Sequence, residues 1–94
     1  MSVVTAFVMI KTEGRRASEV AQRLVDVEYV AEVYSVTGAY DLILILRLPS
    51  YEQLAEVVPD EIAMTDGVTE TETILAFRAF TRRELDSAFD IGLS

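Results

Sequence analysis

Apolar positions arrive along this chain in runs whose period changes. Val3–Ile10 reads VVTAFVMI, a β-branched and aromatic run closed by Lys-Thr-Glu-Gly, and it predicts a strand. Gly14 marks the break. Over Arg15–Val27 the period lengthens, with Ala17, Val20, Ala21 and Leu24 at helical spacing on one side, so a helix is expected there. Val30–Val36 alternates and gives a second strand. Thr37-Gly38-Ala39-Tyr40 is a short turn in which Gly38 is free to take positive φ. Asp41–Leu48 is the third strand, and so short a link predicts a hairpin with the second.

Pro49-Ser50 closes the hairpin. Ser50, three residues before Gln53, is placed to cap a second helix over Tyr51–Ala63, whose apolar side is Leu54, Val57, Val58 and Ile62. Pro59 lacks a backbone donor and crowds the preceding turn, so a kink or restart is expected at Val58–Pro59. Asp66-Gly67 turns the chain into a fourth strand, Val68–Phe77, and Thr81 is placed to cap a short final helix over Arg82–Phe89. The order strand, helix, strand, strand, helix, strand is that of an α+β, ferredoxin-like βαββαβ sandwich, with helices on one face of an antiparallel sheet.

The strand faces bear on partners. In the third strand Leu42, Leu44, Leu46 and Leu48 share one face, and Asp41, Ile43, Ile45 and Arg47 share the other. The first strand is apolar on both faces. The face away from the helices therefore exposes an apolar patch in a monomer, and a second copy stacked sheet to sheet would cover it. A tail folded across the sheet is the alternative. In the fourth strand Val68, Glu70, Glu72, Ile74 and Ala76 fall on one side and Thr69, Thr71, Thr73, Leu75 and Phe77 on the other.

Composition narrows the chemistry. The chain has 94 residues, 51% of them hydrophobic, with sixteen acids against eight bases and a formal charge of −8. A single domain of residues 1–94 fits this length. With no cysteine there is no disulfide or thiolate chemistry, and with no histidine the commonest general base and metal ligand is missing. The acidic balance argues against direct nucleic-acid binding. No apolar run approaches the roughly twenty residues of a membrane helix, and no signal pattern precedes the first strand. A cytoplasmic protein without cofactor or metal is expected.

Candidate chemistry concentrates at the Thr37–Asp41 turn. Backbone donors near Gly38 can hold a carboxylate, Asp41 can accept from an ammonium group, and Tyr40 offers a packing face with a hydroxyl. An ordinary hairpin turn, with Asp41 bonded to its own backbone, satisfies the same residues. Thr69, Thr71 and Thr73 form either a ladder of hydroxyls for a ligand or a row of good strand formers. Glu70 and Glu72 are either a carboxylate pair or a solvated edge. From Glu52 through Glu72 there are seven acids and no base, without calcium-loop spacing.

Four stretches together resemble the effector-sensing, oligomerising domain of the Lrp/AsnC (leucine-responsive, feast/famine) transcription regulators: AFVMIKTEGR, QRLVDVEYV, AEVYSVTGAYDLILILRL and DGVTETETILAF. The Thr-Gly-x-Tyr-Asp turn before an apolar strand, combined with Gly-Val-x-x-Thr-x-Thr at the start of the last one, is what makes the resemblance specific. It implies dimers formed through the sheets in the manner of a dimeric α/β barrel, assembled further into octamers or decamers. It implies a non-catalytic module with an amino acid or similar small effector in a cleft between dimers. Gly38, Tyr40 and Asp41 would line that cleft, the Gly38 amides near the effector carboxylate and Asp41 near its ammonium group, with Thr71 and Thr73 beside them. A stand-alone domain without a DNA-binding domain is expected, so regulation would run through a full-length Lrp/AsnC relative. A small dimeric enzyme of monooxygenase or isomerase type and a purely structural oligomer partner are the competing expectations.

Overall fold

A computed structural model describes residues 3–82. Four strands, β1 (Val4–Thr12), β2 (Val30–Ser35), β3 (Leu42–Leu48) and β4 (Val68–Leu75), form one sheet in the order β2-β3-β1-β4. All three pairings are antiparallel. Helix α1 (Ala17–Leu24) joins β1 to β2, and helix α2 (Tyr51–Val57) leads from β3 toward β4. This is the expected ferredoxin-like topology, with each strand and helix shifted by a few residues at its ends. The final helix expected over Arg82–Phe89 falls, beyond its first residue, outside the described residues.

One sheet face carries the core. Ala6, Val8 and Ile10 of β1 and the four leucines of β3 are completely buried beneath Val20 and Leu24 of α1 and Ile62. The leucines succeed because strand side chains alternate: Leu42, Leu44, Leu46 and Leu48 pair with Ile10, Val8, Ala6 and Val4. The other face, here the open face, holds Phe7, Met9, Ile43 and Ile45, each half-buried by its neighbours alone, and Ile74 beside Phe7.

Pro59 does what its chemistry dictates. Regular α-helix stops at Val57, and Val58–Ile62 widen into a π-helical turn closed by Ala63 N–H donating to the Val58 carbonyl at 2.8 Å. The wider turn still lands Ile62 in the core. Ser50 occupies the cap position of α2, but its hydroxyl bonds the Gln53 side chain and makes no bond to the helix backbone.

Two bulges alter the face assignments. Thr12 pairs with Val68, whereas Lys11 pairs with Glu70, so Thr69 is an extra residue in β4. The bulge turns Val68 onto the core, away from the side it would share with Glu70 by strict alternation, and its side chain packs there. A second shift at Ala31 lets both Val30 and Val33 pack against the core.

The loop between the π-helical turn and β4 is held by close packing. Gly67 has φ +96°, and a Cβ there would lie 2.6 Å from Val20 Cγ2. Arg16 sits above it, bonding Asp66 at 2.8 Å and Glu19 at 3.0 Å, while Glu13 N–H donates to the Gly67 carbonyl at 2.8 Å. Glycine is needed here for both its backbone conformation and its missing side chain.

Candidate functional site at the end of the sheet

The β2–β3 turn closes over the end of the sheet where β1 finishes. Val36 N–H donates to the Asp41 carbonyl at 3.1 Å, and Asp41 N–H donates to the Ile10 carbonyl at 2.9 Å. Between these ties Gly38 takes φ +109° with nothing within 4 Å of where a Cβ would stand. Among the described residues, no hydrogen bond is made to the main-chain N–H groups of Thr37, Gly38 or Ala39. The turn therefore presents an open surface of amide donors, which suits an anionic group.

Asp41 is already engaged. Its Oδ2 accepts from Thr12 N–H at 2.8 Å and from Thr12 Oγ1 at 3.2 Å, 29 residues away in sequence. The carboxylate thus ties β1 to β3 beyond the last ladder pair and does not bond its own turn. Oδ1 takes no part in either bond and keeps its acceptor capacity.

Tyr40 lies across the open face at this end. Its hydroxyl donates to Glu72 Oε1 at 2.7 Å, and Lys11 Nζ stands 5.6 Å from the ring centroid. Lys11 also approaches Glu70 at 3.8 Å. The hydrogen bond to Glu72, helped by partial loss of water and by the negative charge of Glu72 and Glu70, holds the Tyr40 phenol above the usual tyrosine range. Glu70 and Glu72 share the open face but do not act as a carboxylate pair: each is taken by a different group.

Thr71 and Thr73 stand opposite Ile10 and Val8, on the helix-facing side of edge strand β4. Asp41 and Thr71 therefore flank Ile10 from the two sides of β1, Asp41 through its N–H bond to the Ile10 carbonyl and Thr71 as the residue opposite it in β4. Tyr40 lies on the opposite face from both threonines. Thr69 leaves the row, because the bulge displaces it and its hydroxyl donates to the Lys11 carbonyl at 3.1 Å. The expected ladder of three hydroxyls is a pair.

Two residues, Thr12 and Lys11, escape a reading of the sequence and join this site only through pairing between strands; Glu72, read from the sequence only beside Glu70, joins it the same way. Thr12 has a faint signal, standing just past an apolar run where a strand-end hydroxyl meets a turn. Among the described residues, no group of three or more Asp or Glu side chains is placed to hold a metal ion. No described helix is long and apolar enough to cross a membrane.

The sheet thus carries an open apolar face and, at one end, a glycine turn of unpaired amides. The family follows from comparison: the chain belongs to the Lrp/AsnC family, whose Lrp/AsnC ligand binding domain matches residues 5–85. It is similar to the HTH-type transcriptional regulator FL11 of Pyrococcus furiosus, with 33% identity over 75 residues, 80% of this chain and 49% of that regulator. The chain thus spans about half the length of the regulators it matches. Among solved structures, the protein TTHA0845 from Thermus thermophilus is similar at 47% identity and a TM-score of 0.78, covering 84% of this chain and 99% of that one. A feast or famine regulatory protein from M. tuberculosis, solved in complex with L-methionine, is similar at 27% identity and a TM-score of 0.69, over 83% of this chain and 52% of that one.

Proposed function

We propose that residues 1–94 act as one non-catalytic sensing and oligomerisation unit. It binds an amino acid or similar small effector and modulates transcription through a partner regulator of the same family. The observation that carries this reading is the Gly38 turn: open amide donors stand beside a carboxylate with one oxygen uncommitted. An α-amino acid presents the complementary pair, an α-carboxylate for the amides and an ammonium for Asp41 Oδ1. Tyr40 supplies a wall, and Thr71 with Thr73, which lie on the other face of their own sheet, would supply hydroxyls from a neighbouring subunit. The L-methionine complex of the M. tuberculosis relative supports the ligand class.

The apolar open face supports self-association. Phe7, Met9, Ile43, Ile45 and Ile74 would be covered by the same face of a second copy, and such dimers would build into larger rings with the effector between them.

The test is a melting series with the standard amino acids at millimolar concentration. A ligand that binds only the native state stabilises by about 2.7 kcal/mol at a hundredfold excess over its Kd. At least one amino acid is expected to raise the melting temperature, and Gly38→Ala is expected to abolish that rise. No shift from any of them would overturn the reading.

A further inference from the structure

Glu72 stands where the Gly38 turn meets the rim of the open face. It lies on edge strand β4 opposite Met9, is exposed, and accepts the Tyr40 hydroxyl on Oε1 at 2.7 Å. Among the described residues no lysine or arginine pairs with it, and its Oε2 takes no hydrogen bond. Glu70 differs, because Lys11 Nζ stands 3.8 Å from it. Lys11 is the only lysine of the chain, and it is committed to Glu70 and to the Tyr40 ring, 5.6 Å from the centroid. The charged groups tied to the turn and to Tyr40 are therefore three carboxylates, Asp41, Glu70 and Glu72, and one ammonium. The α-ammonium of a bound amino acid answers Asp41 and Lys11 answers Glu70. Glu72 is left over.

We infer that the effector of this chain is an α-amino acid with a long cationic side chain, of the lysine or arginine kind, and that Glu72 is the residue that selects it. The inference rests on the amino-acid reading of the Gly38 turn and adds to it the chemistry of the ligand's side chain. The carboxylates do not carry it alone: the turn amides fix one end of the ligand, the Tyr40 ring lines the middle, and Glu72 receives the far end.

Tyr40 itself measures the span. Its side chain starts in the turn, and its hydroxyl reaches Glu72. A lysine or arginine held at the Gly38 amides by its α-carboxylate has a side chain of about the same reach as a tyrosine, so its cationic end arrives at the same carboxylate. On the way its methylene stem lies along the ring, and the ring attracts a cation as it already attracts Lys11. A neutral side chain of equal length gains the packing and leaves Glu72 unanswered. An anionic one meets two glutamates with a single lysine beside them, which is repulsive on balance.

The experiment measures binding to the full chain by isothermal titration calorimetry with probes matched in shape: lysine against norleucine, arginine against citrulline, and glutamate. At the strength of an exposed ion pair together with a cation over a ring, lysine or arginine should bind about five- to thirtyfold more tightly than its neutral counterpart, and glutamate more weakly than both. Glu72→Gln, with circular dichroism confirming the fold, should shrink that ratio to within about twofold. Glu72→Lys should reverse the order, so that glutamate binds more tightly than lysine. Glu52→Gln makes the same change in net charge at the start of α2, which follows the end of β3 remote from the turn, and should keep the ratio. Equal affinities within both matched pairs overturn the inference and leave the amino-acid reading standing. A ratio that survives Glu72→Gln, or that falls equally in Glu52→Gln, also overturns it, since the preference would then belong to other groups or to the overall charge of −8. If none of the standard amino acids binds, the amino-acid reading falls and the inference falls with it.

Discussion

Asp41→Ala separates a structural carboxylate from a purely ligand-facing one. In the unliganded chain Oδ2 accepts two hydrogen bonds from Thr12, at 2.8 and 3.2 Å, in a half-buried position. Hydrogen bonds to a charged group contribute about 1.5–3 kcal/mol each when well made. The 2.8 Å main-chain bond is the better of the two, and exposure discounts both, so Asp41→Ala should cost about 2 kcal/mol. Thr12→Val removes the hydroxyl bond but keeps the main-chain donor, and should cost about 1 kcal/mol. The double variant should cost less than the sum, with a coupling of about 0.5–1 kcal/mol, because the hydroxyl bond is counted in both single variants. Urea unfolding followed by circular dichroism measures all four proteins. Protein concentration must be held fixed, since self-association would add to apparent stability. At about 4–8 °C per kcal/mol for a chain of this size, Asp41→Ala should melt roughly 8–16 °C below wild type without any ligand. A loss under about 2 °C, or strict additivity with Thr12→Val, would show that the tie does not hold the sheet end.

Gly67→Ala forces a Cβ to 2.6 Å from Val20 Cγ2 at φ +96°, and should cost about 2–5 kcal/mol by thermal melting. Gly38→Ala meets open space and bears only the φ +109° strain, about 1–2 kcal/mol; equal losses at the two positions would refute the distinction. Arg16 holds the Glu19 and Asp66 carboxyls below the usual carboxylate range, through its hydrogen bonds first and its charge second. Their contribution is therefore present above the unfolded carboxylate values and is lost as pH falls through the lower folded ones. The stability gap between wild type and Arg16→Ala should shrink on acidification in that window, and a gap that stays constant into strong acid would contradict the pairing. Glu72→Gln removes the charged acceptor that keeps the Tyr40 phenol protonated, so an ultraviolet titration should show one tyrosine step moving to lower pH.

The β-strands are legible because alternation is a local property. The leucines at 42, 44, 46 and 48 announce both a strand and its buried face. Pro59 is equally legible, since its missing donor and its ring act within one turn. The bulge at Thr69 is not, because nothing in Val-Thr-Glu-Thr-Glu distinguishes an inserted residue from a paired one; the pairing of Thr12 with Val68 decides it. For the same reason Val68 cannot be assigned to the core from its own strand. At the candidate site Gly38, Tyr40 and Asp41 stand out as a turn, but the partner of the Asp41 carboxylate lies 29 residues away and belongs to another strand. Long-range partners of this kind are set by sheet order, which local spacing does not encode.

The bulge in β4 has a consequence for how copies of this chain can meet. β4 is an edge strand, and an edge is an open template onto which further strands can add without limit. The extra residue at Thr69 breaks the regular spacing that such addition needs. Glu70 and Glu72 make it worse for an invader of the same sequence, because antiparallel copies paired about this stretch would set glutamate against glutamate across the join. Growth along the sheet is thereby discouraged at the same strand whose other end feeds the apolar face. Open-ended ribbons built through this edge are disfavoured, so the strand's own irregularity guards against runaway aggregation.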